Sequence, residues 1–239
     1  MHKILLAAAV AVSSIGQSGY AAPFLNVEFG PGNSATESGF TNVTAAGGPV
    51  VTSAGNVTVA LTNAPTGSQR DRGVLSDSGA FTYADLYDDF VRSDGGNTLT
   101  VALSGAGILP GTSYVVTLYG FDPQGTGSAT GSTVVSNVQG YKQTGGASFG
   151  TITYAVVNGN PGASAPTANE QYSITTTLNS GAGGLLSVDI TPVSSTSGYT
   201  SAILNAIQVS QVTMVPEPTA LGLLTVGGLA VLRRRRRQA

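Results

Sequence analysis

The stretch "NTLTVALS" alternates without a break. Leu99, Val101 and Leu103 fall on one side and Thr98, Thr100 and Ala102 on the other. A period of two belongs to a β-strand with one buried face. "GLLSVDIT" repeats the pattern through Leu186, Val188 and Ile190. Further alternating or apolar runs cover Phe24 to Phe29, Val57 to Leu61, Tyr114 to Phe121, Thr133 to Val138, Phe149 to Val157, Tyr172 to Leu178 and Ala202 to Val209. Gly, Pro, Asn and Ser separate them, the residues that form turns. Short strands without long amphipathic helices predict an all-β fold. The expected architecture is an antiparallel two-sheet β-sandwich, jelly-roll-like, over residues 22–209. Leu99, Val101, Leu103, Leu186, Val188 and Ile190 should lie in its core.

One segment has a different period. In "TYADLYDDFVRSDGG", Tyr83 and Tyr87 are four apart, as are Leu86 and Phe90. That spacing predicts a short helix over Ala84 to Val91, closed by Gly95 and Gly96.

Composition narrows the chemistry. Charged residues make up 9% of the chain, against about 25% in an average globular protein. Between Phe24 and Met214 there are four basic and eleven acidic residues, a balance of −7. Such a body lacks the clustered Lys and Arg that neutralise phosphates, so nucleic acid is not an expected partner. There is no cysteine, which removes disulfides and thiol chemistry. The single histidine is His2. A Ser-His-Asp triad and histidine-ligated metals are therefore excluded from the body.

Both ends read as address signals. Lys3 precedes nine apolar residues, Ile4 to Val12, and then small residues up to Ala21. This is the tripartite pattern of a secretory signal peptide over residues 1–21, cleaved after Ala21. At the other end, residues 210–218 are expected to be a linker carrying Pro216, Glu217 and Pro218. Thr219 to Leu232 come next, fourteen residues without a charge, and then Arg233, Arg234, Arg235, Arg236 and Arg237. A helix of that length is roughly 21 Å long, against a hydrocarbon core of roughly 30 Å. Snorkelling arginines and local thinning close part of the gap. The arginines are expected to stay in the cytoplasm as a membrane stop, leaving the body outside.

A Pro-Glu-Pro motif, a short hydrophobic helix and a terminal arginine cluster, in that order, resemble the PEP-CTERM sorting signal of Gram-negative bacteria. The match covers Val215 to Ala239. The resemblance implies recognition by an exosortase at Pro216, Glu217 and Pro218, transient residence in the inner membrane, and delivery to the cell surface or an exopolysaccharide matrix. In the body, "FLNVEFG", "DLYDDFV", "LTVALSGAGILPGTSYVVTLYGFDP" and "ILNAIQV" together resemble galactose-binding-like or malectin-like jelly rolls. That likeness implies carbohydrate contact through loops at one end of the sandwich. The chain lacks Trp, the residue most suited to stacking on sugars.

Asp85, Asp88, Asp89 and Asp94 form the densest group of candidate ligands. Carboxylates at this density suit Ca²⁺. No D-x-D-x-D-G loop is present, so the expected state is a solvated helical turn splayed toward water, with an acid paired to Arg92 or Arg72. Neither a metal nor another cofactor is expected. Paired carboxylates also serve glycoside hydrolysis, but eleven acids always supply pairs, and no motif selects one. "SQRDRG" (Ser68 to Gly73) reads as a self-satisfied loop. Tyr119 and Phe121 fit core burial better than sugar stacking. The expectation is an exported structural or adhesive protein that contacts glycans, with no catalytic residue. A non-catalytic carbohydrate-binding module is the alternative, and a surface glycosidase a distant third.

Overall fold

The computed structural model describes residues 19–20, 22–44, 50–54, 56–65, 68–124, 134–157, 164–195 and 201–213. In chain order the elements are β1 (Gly19–Tyr20), β2 (Leu25–Glu28), β3 (Thr41–Asn42), β4 (Val50–Ala54), β5 (Val57–Thr62) and β6 (Gln69–Asp71). Next come α1 (Ala84–Asp88), β7 (Asp89–Ser93), β8 (Leu99–Ser104), β9 (Ser113–Tyr119), β10 (Val134–Gln143) and β11 (Ser148–Val157). The last are β12 (Ser173–Asn179), β13 (Leu186–Ser195), β14 (Ala202–Leu204) and β15 (Ala206–Thr213). One sheet runs β12-β9-β15-β2-β3, with β1 also on β15. A second runs β11-β10-β13-β8-β5-β4, and a small third sheet is β14-β7-β6. Every pairing is antiparallel except β2 with β3.

The expected sandwich is present, and its core arises from the alternation. Leu99, Val101 and Leu103 of β8 are 0–2% exposed, as are Leu186, Val188 and Ile190 of β13. Leu186 sits opposite Leu103, and Ile190 opposite Leu99. From the other sheet, Val27, Val116, Leu118, Ile207 and Val209 join the same core. Each fully buried side chain of this size is worth roughly 1.5–3 kcal/mol relative to exposure, so the register is strongly fixed.

Two boundaries differ from expectation. The helix ends at Asp88, because Asp89 is already extended (φ −99°, ψ 137°). From there β7 pairs with β14 (Val91 opposite Leu204) and with β6 (Phe90 opposite Arg70). A five-residue helix offers little against two ladders. The strand expected over Ala202 to Val209 is split at Asn205 and does not end at Val209. It continues to Thr213, since Ser210 and Gln211 pair with Val115 and Tyr114 of β9. The linker expected from Ser210 therefore begins later.

The chain divides into two compact units. Residues 21–211 form the sandwich, and residues 1–20 with 212–239 form the other. Within the latter, Gly19 and Tyr20 pair with Thr213 and Val212. Pro216, Glu217, Pro218 and Arg233 to Arg237 lie outside the described residues, as do the predicted hydrophobic helix and most of the signal peptide. Among the described residues no helix is long and apolar enough to cross a membrane.

Candidate functional site

The acids near α1 divide: Asp85 and the side chain of Asp94 reach solvent as expected, whereas Asp88 and Asp89 are buried, 6% and 1% exposed. Asp88 accepts hydrogen bonds from the backbone N–H groups of Val74 (3.1 Å) and Leu75 (3.0 Å) and thereby pins the loop after β6. Asp94 pairs with Arg92 at 3.1 Å. Arg72 makes a bidentate pair with Asp122, Nε to Oδ1 at 3.0 Å and Nη2 to Oδ2 at 2.9 Å. Its guanidinium also lies 5.3 Å from the Phe90 ring centroid. Of the expected pairings, Asp94 with Arg92 is present, whereas Arg72 takes an acid outside the group, Asp122, from fifty residues away.

Beside them is a feature that no spacing in the sequence indicates. Glu28, at the end of β2, is fully buried. Its Oε2 accepts from the Glu37 N–H at 2.8 Å, and the Thr36 side chain is a further polar neighbour. Asp89 is buried close by, and the Ser34 hydroxyl beside it lowers its carboxyl only in part. A side chain on Gly30 would start 2.1 Å from Asp89 Oδ2 and 2.7 Å from Ser34 Oγ. Only glycine fits there. The Ser34 hydroxyl itself donates to the Pro31 carbonyl at 2.6 Å. Burial therefore dominates, and it pushes both carboxyls, Glu28 and Asp89, up to about 7. Neighbouring acids add to this: Glu37 raises Glu28, and Asp71 and Glu28 raise Asp89. Burial raises Asp88 too, against its two backbone hydrogen bonds.

These raised values imply a testable pH dependence. Unfolded, these acids titrate near 4; folded, Glu28 and Asp89 hold their protons to about 7. The folded state binds more protons between those values, so its advantage is complete at the acidic end and is lost as the pH rises through 7. Each pH unit per group is worth about 1.4 kcal/mol. With two such groups over about two pH units, melting should occur about 10 °C or more higher at pH 5 than at pH 7.5, at about 2–4 °C per kcal/mol for a domain of this size. Glu28→Gln with Asp89→Asn should flatten the profile. An unchanged slope in that double variant would remove the two carboxyls as its cause.

Tyr119 and Phe121 are buried, 2% and 0% exposed. Tyr87 and Tyr83 of the α1 region approach Tyr119 with centroids at 6.0 and 6.1 Å. Phe121 stacks on Tyr172 at 4.4 Å. These rings are core, not a sugar platform. Among the described residues no group of three His, Cys, Asp or Glu side chains is arranged to hold a metal ion. At the end of the sandwich that carries these acids, an open cleft of about 410 Å³ is lined by Asn63, Ala64, Pro65, Asp94 and Asn97. Asn63 Nδ2 donates to the Thr98 carbonyl at 2.8 Å, and Asn97 Nδ2 to the Asp94 carbonyl at 2.7 Å. Those bonds hold the two loops in shape. Gly95 and Gly96, both at positive φ, make the turn between them.

No family model matches the chain, and no curated protein matches it in sequence. Solved structures give a distant likeness. A Bacteroides uniformis beta-glucuronidase 2, covalently bound to cyclophellitol-6-carboxylate aziridine, is 12% identical with a TM-score of 0.41; the match covers 79% of this chain and 18% of that one. The ANX2 ectodomain from Arabidopsis thaliana is 14% identical with a TM-score of 0.43, covering 81% of this chain and 50% of that one. TmCBM61 in complex with beta-1,4-galactotriose is 13% identical with a TM-score of 0.21, covering 64% and 81%. The chain spans half or less of the first two. At these scores the likeness carries no argument about ligand or activity, and the β-sandwich rests on the sheets described above.

Proposed function

We propose that this chain is an exported, non-catalytic structural or adhesive protein of the cell surface or extracellular matrix, sorted by its C-terminal segment. One observation carries the reading. Pro216-Glu217-Pro218, fourteen uncharged residues and five arginines stand in that order just beyond the end of β15 at Thr213. Proline suits neither a strand ladder nor a helix interior, so the sequence itself sets the body off from the uncharged segment. The arginines oppose translocation. An exosortase is the processing partner, the inner membrane a transient one, and exopolysaccharide the medium in which the mature protein acts. The test is fractionation of cells that encode an exosortase. Alanines at Pro216, Glu217 and Pro218 should leave uncleaved precursor in the inner membrane, and neutral residues at Arg233 to Arg237 should weaken its retention there. Normal surface delivery of both variants would end the proposal.

A second reading, a glycan-binding module, is favoured by the cleft. Two carboxamides and a carboxylate line it, groups that hydrogen-bond sugar hydroxyls. A glycan array probed with the protein and with Asn97→Ala separates the readings. Selective binding lost in the variant supports the module, and no binding by either leaves the structural role.

A further inference from the structure

The two ends of the sandwich differ in chemistry. At one end, residues 105–112 join β8 to β9 and residues 180–185 join β12 to β13; neither connection contains a charge. Leu109 and Leu185 protrude from them, 50% and 49% exposed, and Phe24, just before β2, is 46% exposed. Single exposed apolar residues are ordinary, but these three share one mount. Tyr114, itself buried, receives the Leu109 N–H on its hydroxyl at 2.7 Å and packs its ring 5.8 Å from that of Phe24. Gly111 N–H donates to the Ser180 carbonyl at 3.0 Å, and Gly181 N–H to the Leu185 carbonyl at 3.2 Å. The opposite end, where β2 closes at Glu28, carries the exposed acids: Asp71 opposite Asp89, Asp77, which accepts from the Ala84 N–H, and Asp85 of α1.

The chain leaves the body at the uncharged end, since Gln211 of β15 lies opposite Tyr114. Five residues, 214–218, then separate Thr213 from the uncharged stretch at Thr219. Fully extended they reach about 20 Å. We propose that Phe24, Leu109 and Leu185 form a lipid-contacting rim, seated against the bilayer that residues 219–232 enter. The proposal rests on the sorting reading above. A bilayer that holds the tail brings this end to the headgroups, where half-exposed apolar side chains on an uncharged surface partition favourably. It also turns the acidic end away from anionic lipid.

The absence of cysteine makes the test direct. Leu109→Cys, Leu185→Cys and Gly183→Cys place single thiols on the rim end, and a side chain at Gly183 meets nothing within 4 Å. Asn97→Cys marks the other end. Each full-length variant carries an environment-sensitive fluorophore and is reconstituted into phosphatidylethanolamine–phosphatidylglycerol vesicles with nitroxide-labelled lipid. Quenching at 109, 183 and 185 should exceed that at 97 several-fold. Vesicle-bound protein quenched equally weakly at all four sites overturns the rim and leaves the sorting reading standing. Disulfide-linked dimers of unlabelled Leu109→Cys protein, with no quenching of the labelled protein, assign the surface to a second copy and also overturn it. Protein that fails to co-float with vesicles removes both ideas.

Discussion

Asn205→Ala should destabilise the sandwich by about 3–6 kcal/mol, a large part of the roughly 5–15 kcal/mol that holds a typical domain folded. Asn205 is fully buried where the last strand divides into β14 and β15. Its Oδ1 accepts from the Phe121 N–H at 2.6 Å. Its two amide protons serve the carbonyls of Asp89 (2.7 Å), Phe121 (3.0 Å) and Tyr87 (3.2 Å). Its own backbone N–H donates to the Tyr119 carbonyl at 2.9 Å, and its carbonyl accepts from Phe29 at 2.8 Å. One carboxamide therefore joins α1, β7 and the loop after β9 to the main sheet. Alanine strands several buried backbone groups at once, each costing about 1–3 kcal/mol. Asn205→Asp restores the acceptor but sets a carboxylate against three carbonyls, so it should not rescue. Urea unfolding of the purified chain measures both. A loss under about 1 kcal/mol for the alanine variant, no more than one ordinary hydrogen bond, would mean that water replaces the carboxamide.

Phe121→Ala should cost about 3–5 kcal/mol, as large-to-small aromatic substitutions in cores do. Phe121 is fully buried and lies parallel to Tyr172 at 4.4 Å with 4° between planes. Tyr154 meets it at 4.9 Å and Tyr87 at 5.9 Å, both edge to face. Three tyrosines, from β11, α1 and the turn just before β12, thus converge on one ring. Phe121→Leu keeps much of the volume and loses the ring contacts, worth about 0.5–1.5 kcal/mol per aromatic pair. It should fall between wild type and alanine. Equal stability of the leucine and wild-type proteins would show that volume alone matters there.

These two residues show what a sequence reading reaches. Strands such as β8 and β13 are legible because their information is local: alternate side chains face the core, and a period of two records it. The shortest edge strands are not. β6 is Gln69–Asp71, with no apolar residue, and β3 is two residues long. Both exist because a neighbouring strand offers a ladder. β7 is hidden by the four-residue spacing of Leu86 and Phe90, which reads as a helix until the pairing partners are known. The same limit applies to the acids. "DLYDDFV" marks a dense carboxylate group, but Asp88 is drawn inward by N–H groups at Val74 and Leu75, and Asp89 by its position beside Gly30. Glu28 carries no local signal at all. Asn205 sits inside "ILNAIQV" as one polar residue in an apolar run, and its six hydrogen bonds all reach elsewhere in the chain.

The tail reading depends on order along the chain more than on shape, so the most direct measurement is the intact mass of the surface-exposed form from exosortase-encoding cells. That form should begin after Ala21 and end near Pro216-Glu217-Pro218, lacking Arg233 to Arg237. A surface form that still ends at Ala239 would contradict the tail reading and make the segment a permanent anchor.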